Sequence, residues 1–381
     1  VSDARVWLGS ASADPESAPP DTREMPMGRT KRGVAATAAT ATALLLTAST
    51  MSGAAQGNAG VTSADEPRLI PVHPQIVKAG LDNPRQLSRT KGGALVLGLA
   101  GRGGNTAKLG VIKSRGHIRY VMRGFPSGAS PDGSFAVGMN GASKRPGGAY
   151  YGLDRARMAP PGQRRDVFLL AKAPGGQVHK VFNVGRFERR HDVDGEGVES
   201  NPYSVLALKR KILVADAAGD YIGQFKNGRY RVWAVMPEYG PRIDAVPTVV
   251  AKGADGYVYV GELHSERKHK AKVWKFSRDG DRLRSWKGFT TVTGVARTKN
   301  GTLYVSELFG GPCDFSQVPN CLPGRVVKIA PNGNRTYYKV PAPAGITARG
   351  NHVWVSAYSV CPGSGCFGNP DWSGQVWHFR A

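Results

Sequence analysis

An all-β fold, a six-bladed β-propeller of four-stranded antiparallel blades preceded by a signal peptide, is what this sequence predicts, and three observations predict it. A hairpin unit recurs along the chain. Its second strands, aligned on Ile212, Val258, Leu303 and Val353, repeat at intervals of 46, 45 and 50 residues, which is a blade period. Between the apolar runs stand Asp-Gly or Asn-Gly pairs, a strong short-range hairpin signal.

The unit is clearest in residues 200–220, SNPYSVLALKRKILVADAAGD. Residues 203–208 and 211–214 are rich in Val, Leu and Ile, too short for helices, and separated by the charged Lys209-Arg210-Lys211. Pro202 removes an amide donor and pushes Asn201 toward extended backbone, so it belongs at the start of a strand. Asp216 then marks the end of the second strand. The unit returns at residues 246–263, VPTVVAKGADGYVYVGEL, with Glu262 at its end, and at residues 291–308, TVTGVARTKNGTLYVSEL, with Glu307. Residues 83–100 and 343–358 are further copies that place Leu99 and Ala357 at the same position, and residues 130–153 form a weaker one. Second hairpins such as AKVWKFSRDGDRLRSW and GRVVKIAPNGNRTYYKV follow most copies, so each blade has four strands and six blades make the ring. Residues 69–80 are expected to lie beside the last hairpin, GQVWHFRA, and close it, which protects the edges an open sheet would leave.

The preceding residues differ. Residues 1–24 are polar and without periodicity, and read as disordered or as upstream sequence from a wrongly assigned start. Residues 25–55 have the three parts of a secretory signal peptide: Arg29, Lys31 and Arg32, an uncharged Ala/Thr/Leu run, and small residues leading to cleavage after Ala55. A flexible linker, 56–68, leads to the propeller, 69–381. The expected product is secreted, without a membrane span once the signal is removed, and monomeric.

The chain carries 52 Lys and Arg against 28 Asp and Glu, a formal charge of +24, and residues 1–55 hold five of each sign, so the whole excess lies beyond them. Such an excess attracts polyanions: cell-wall phosphopolymers, acidic polysaccharide or extracellular nucleic acid. The runs SERKHKAK, SKRPGG and RARMAPPGQRRD sit in expected loops, where solvation alone explains them. None combines with a nucleic-acid-binding motif, so no specific nucleic-acid partner is expected.

The ordered series ESNPYSVLAL, ILVADAAGDYI, VPTVVA, DGYVYVGEL, GFTTVTGVA, NGTLYVSEL and GRVVKIAPNG resembles the ScyD/ScyE family of secreted six-bladed propellers, over about residues 69–381. Ser-Asn-Pro-Tyr and Val-Pro-Thr are its most specific parts, whereas Gly-x-Leu-Tyr-Val is common to many propellers. The resemblance implies a fold and a compartment rather than a reaction. The chain departs from it in its basic charge, its Arg-rich second blade and its four Cys.

Candidate chemistry lies where the second strands end. Asp216, Glu262 and Glu307 are expected to approach the channel mouth from three successive blades, near Asn201, and several carboxylates with an amide oxygen suit Ca²⁺. Lactone-hydrolysing propellers with a central calcium share the fold level of this reading, but fold does not imply function. In non-catalytic blades such acids bond neighbouring backbone amides, and that structural role is the competing expectation. HDVDGEG, residues 191–197, matches the start of a calcium loop with Asp192, Asp194 and Glu196 at alternate positions. Tyr203 stands where the loop's final Glu should be and no flanking helix is visible, so a turn-rich connection is expected. His264 and His269 read as surface histidines of a basic loop.

All four Cys fall in two loops. The expected disulfides are Cys313–Cys321 and Cys361–Cys366, each closing a short loop, with cross-loop pairing and a Cys₄ zinc site as rivals. The function expected is a binding or scaffold module of unknown ligand, an unidentified small molecule or an extracellular polyanion. The alternatives are a Ca²⁺-assisted, lactonase-like hydrolase at the channel mouth and a polyanion- or cell-wall-binding protein.

Overall fold

The structure, a computed structural model, describes residues 67–113, 116–155, 166–241, 243–310, 322 and 324–381. The signal peptide with its cleavage after Ala55, and the Cys313–Cys321 pair, lie outside the described residues.

Strands β1 (Leu69–Pro71) and β2 (Gln75–Leu81) are followed by the first blade, formed by β3 (Pro84–Arg89), β4 (Leu95–Leu99), β5 (Gly104–Ile112) and β6 (Ile118–Ser127). Blade two is β7 (Ala142–Lys144), β8 (Tyr150–Arg155), β9 (Val167–Lys172) and β10 (Val178–Asn183), after which comes helix α1 (Val184–His191). Blade three is β11 (Pro202–Ala207), β12 (Ile212–Asp216), β13 (Tyr221–Lys226) and β14 (Arg229–Val235). Blade four is β15 (Pro247–Lys252), β16 (Val258–Glu262), β17 (Ala271–Phe276) and β18 (Arg282–Phe289). Blade five is β19 (Val292–Arg297), β20 (Leu303–Glu307), β21 (Arg325–Ile329) and β22 (Arg335–Lys339). Blade six is β23 (Ile346–Arg349), β24 (His352–Ala357) and β25 (Gly374–Arg380), completed by β2. β2 runs antiparallel to β25, as ring closure requires. The segment expected to do this alone is divided: β1 joins blade five instead, parallel to β22.

The register follows the prolines. Pro84 pairs with Leu99, Pro202 with Asp216 and Pro247 with Glu262, so each first strand starts where the second ends. The second strands β12, β16 and β20 are buried along their whole length because neighbouring blades cover both faces. That is why they read as continuous apolar runs. Each fully buried Val, Leu or Ile there contributes about 1.5–3 kcal/mol.

The first strands line the ring's centre and are joined blade to blade by polar side chains. Ala142 N donates to Gln86 Oε1 (2.9 Å), Ala207 N to Ser143 Oγ (3.0 Å) and Val250 N to Ser204 Oγ (3.1 Å). Thr248 Oγ1 donates to the Val292 carbonyl, Thr293 Oγ1 to Pro343 (2.9 Å) and Ser356 Oγ to Arg85 (3.1 Å). Every seam is bridged. At the last one Gly345 has no room for a side chain, since a Cβ would stand 2.0 Å from Leu87 N. β7 has three residues, and Gln86 fills the gap it leaves, donating Nε2 to Val205 O at 2.9 Å while Oε1 accepts from Val205 N at 3.0 Å. No helix among the described residues is long and apolar enough to cross a membrane.

Candidate functional site

The acids that end the second strands are buried, and each is held within its own surroundings. Asp216, with no exposed surface, accepts from Ser200 Oγ (2.7 Å) and Asn201 N (2.6 Å). Asn201 thus meets Asp216 through its backbone, while its own Oδ1 is buried without a partner. Glu262 accepts from Trp274 Nε1 (2.7 Å) and from the Tyr239 hydroxyl (2.9 Å). Glu307 accepts from Thr290 N (2.6 Å) and forms an ion pair with Arg325 Nε (2.6 Å), both side chains being buried. The structure does not bring the three acids together: the one group of three or more His, Cys, Asp or Glu with closely spaced donor atoms among the described residues lies elsewhere.

His264 corrects an expectation. It is buried, packs against Tyr239 with ring centroids 4.0 Å apart and the planes tilted by 56°, and places Nδ1 3.5 Å from Glu262 Oε1. Burial, then the charges of Lys272, Arg267 and Lys270, lower its pKa. The turn Leu263–Arg267 folds His264 inward, which a basic composition did not signal.

Burial also raises the acids. It lifts Asp216 to about 6 and Glu262 to about 7, against the hydrogen bonds that oppose it. Asp220, whose carboxylate accepts from Ala245 N and Val246 N at 2.7 Å each, rises to about 7 for the same reason. In the unfolded chain such groups ionise near pH 4. Between about pH 4 and 7 the folded state therefore binds more protons than the unfolded one, so stability falls as pH rises through that window. Each group contributes a slope of at most about 1.4 kcal/mol per pH unit. Urea unfolding is expected to give a larger free energy at about pH 5 than at about pH 8, with Glu262→Gln flattening the slope. A stability that rises steadily from acid to alkaline pH contradicts this.

Loops from blades two, five and six meet over the strand-exit face. Leu308 and Phe309 beyond β20, Val360, Cys361 and Cys366 beyond β24, and Phe135 ahead of β7 form one apolar cluster. The Cys361–Cys366 disulfide is present within it, as expected. Phe135 N donates to Val360 O (2.8 Å), joining blade two to blade six.

The opposite face carries the turns between first and second strands, and there the surface is concave. A cavity of about 660 Å³ lies between blades two and three, lined by Arg145, His179, Lys209, Arg210 and Lys226 over an aromatic floor that includes Tyr151 and Phe225. No carboxylate lines it, and none of its Lys or Arg side chains forms an ion pair among the described residues. Arg145 lies over the Tyr151 ring at 5.1 Å, and its Nε is buried without a hydrogen-bond partner. The sequence held the signal, the basic turn Lys209-Arg210-Lys211, but a charged turn is ordinarily solvated. What makes it a site is the apposition of the turn at Arg145.

No protein-family model and no curated protein matches this chain. Among solved structures it is similar to a luciferin-regenerating enzyme, with 9% identity over 81% of this chain and 96% of that one, at a TM-score of 0.50. It is similar to a gluconolactonase from Xanthomonas campestris, with 11% identity over 81% and 89% of the chains and a TM-score of 0.47. A catalytically inactive virginiamycin B lyase from Staphylococcus aureus, solved with quinupristin, is 13% identical over 79% and 81%, at a TM-score of 0.46. Identities this low concern the fold alone, which the first of these likenesses supports.

Proposed function

We propose that this propeller is a secreted binding module that holds part of an extracellular polyanion in the basic cavity between blades two and three. One observation carries the reading: cationic side chains converge on a concave surface without an opposing carboxylate among the described residues. In a chain of +24 formal charge that concentrates a long-range attraction at one place. Arginine and lysine suit phosphate, sulfate and carboxylate groups, and the Tyr151 and Phe225 rings offer an apolar backing to the repeating unit between charges. Secretion rests on residues 25–55 and on the resemblance to the ScyD/ScyE propellers, whose membership stays part of this proposal. The Ca²⁺-assisted hydrolase reading needs acids free to act at the channel mouth. Asp216, Glu262 and Glu307 answer to Ser200, Trp274 and Arg325 instead, which favours binding.

The test compares charge reversals on one face. Lys209→Glu with Arg210→Glu is expected to weaken binding of inorganic polyphosphate about tenfold, roughly 1.4 kcal/mol, and to elute earlier from a heparin column. Lys299→Glu with Arg349→Glu changes net charge equally, in the turn after β19 of blade five and at the end of β23 of blade six. Equal weakening by both pairs would reduce the attraction to net charge and remove the cavity from the account.

A further inference from the structure

We propose that Glu188, Asp192 and Asp194 form a divalent-cation site, of the hard-oxygen type that takes Ca²⁺, at the C-terminal end of α1. The site lies at the opposite end of the blades from the basic cavity and does not depend on it. A carboxylate oxygen of each residue stands within 4.8 Å of the others. That is the span one Ca²⁺ permits, since ligand oxygens at about 2.4 Å are at most about 4.8 Å apart.

Glu188 has no exposed surface, yet its Oε2 has no hydrogen-bond partner among the described residues. Among the described residues its Oε1 accepts only from Val193 N (3.2 Å). A buried carboxylate oxygen left without a donor costs several kcal/mol unless a cation or a bound proton answers it. None of the three acids has a Lys or Arg in ion pair with it among the described residues, in a protein with so large an excess of both. The arrangement around it is also unfavourable without a cation. Glu188 and Asp192 are four residues apart at the helix end, where Asp192 caps through its amide to Glu188 O (2.9 Å). Like charges at that spacing repel, and the negative end of the helix dipole opposes both. Asp216, at the end of β12, adds negative potential at Glu188, and Asp244 adds it at Asp194.

The loop supplies the shape. Asp192 has left-handed backbone, φ 42°, and its Oδ1 accepts from Gly197 N (3.1 Å), while Asp194 Oδ1 accepts from Glu196 N (3.1 Å). The alternation Asp-Val-Asp that opens a calcium loop is therefore present, but its third carboxylate comes from the preceding helical turn and not from the loop's far end. That explains why Tyr203, at the expected final position, says nothing against the site. Water fills the remaining positions, as it does around Ca²⁺ with few protein ligands.

Titration of the full chain with Tb³⁺, followed by displacement with Ca²⁺ alone, tests this. One saturable site is expected in the wild-type protein, lost in Glu188→Gln and in Asp194→Asn. Ca²⁺ is expected to raise the wild-type melting temperature by several degrees and to leave both variants unmoved. In chelator, the variants are expected to melt at or above the wild type, because an amide removes like-charge repulsion without removing bulk. This reading is overturned if the wild type takes up no ion, or if uptake survives both substitutions. Variants that bind no ion but melt well below the wild type in chelator would also overturn it, since Glu188 would then be a structural acid only. Asp194→Asn, on a half-buried loop residue, keeps the test open should Glu188→Gln not fold.

Discussion

Replacing Arg325 with Ala is expected to lower the unfolding free energy by about 3–5 kcal/mol, the usual result of removing one partner of a buried ion pair. Arg325 is 1% exposed and Glu307 has no exposed surface. The guanidinium gives Nε to Glu307 at 2.6 Å and lies over the Tyr337 ring at 5.0 Å. Without it, Glu307 keeps one donor among the described residues, Thr290 N, and becomes a buried charge with no counterion among them. Glu307→Ala is expected to cost a similar amount by stranding the guanidinium. The combination Glu307→Leu with Arg325→Met should cost less than either single change, because no charge is then left behind. Urea melts of the three variants decide the matter. Additive losses would mean that the two groups act separately and that the pair is not a unit.

Asn83→Ala is expected to cost about 3–5 kcal/mol, through three lost hydrogen bonds and an unfavourable backbone. Asn83 is fully buried with φ 49°, a region asparagine tolerates better than alanine. Its Nδ2 donates to Gly101 O (2.8 Å) and Gly133 O (2.9 Å), and its Oδ1 accepts from Ala136 N (3.2 Å). Its backbone amide donates to Cys361 O (2.9 Å). One side chain thus ties blade one to the loop before blade two, and its backbone ties it to blade six. Asn83→Gly separates the contributions: it restores backbone freedom without the side chain, and should recover only the smaller part of the loss. Full recovery by glycine would show that the hydrogen bonds contribute nothing.

The repeat was legible because its signals are local. Pro202 and Pro247 fix where first strands start, and Asp-Gly at 255–256 and Asn-Gly at 300–301 fix the turns, so register with Asp216, Glu262 and Glu307 follows. Blade two was faint because β7 is three residues long, and what replaces its missing pairing is Gln86 from another blade. Helix α1 escaped because eight residues give little more than two turns of periodicity, although Asn183 as its N-cap, accepting from Arg186 N (2.8 Å), was readable. The candidate sites divide the same way. Equivalent positions told which face the strand-end acids share, but not that Trp274, Tyr239 and Arg325 would turn toward them. Nor could spacing reveal that Glu188 meets Asp192 and Asp194, since the helix that aligns them was itself unseen.

The pairing of β2 with β25 has a consequence in time. Gln75 and His378, which face each other in blade six, are 303 residues apart in sequence. A ribosome makes β2 before any of the blades and β25 after all the other strands of the ring, so the interfaces between blades one to five can assemble while the sixth waits. Bringing such distant segments together costs on the order of 5 kcal/mol in chain entropy, repaid only when the whole strand has paired. Until that moment β2 and β24 both present unpaired edges, the feature that invites pairing with another chain. The interval between synthesis of the fifth blade and the last strand is therefore when this protein is most exposed to aggregation, and when a chaperone that covers β2 would matter most.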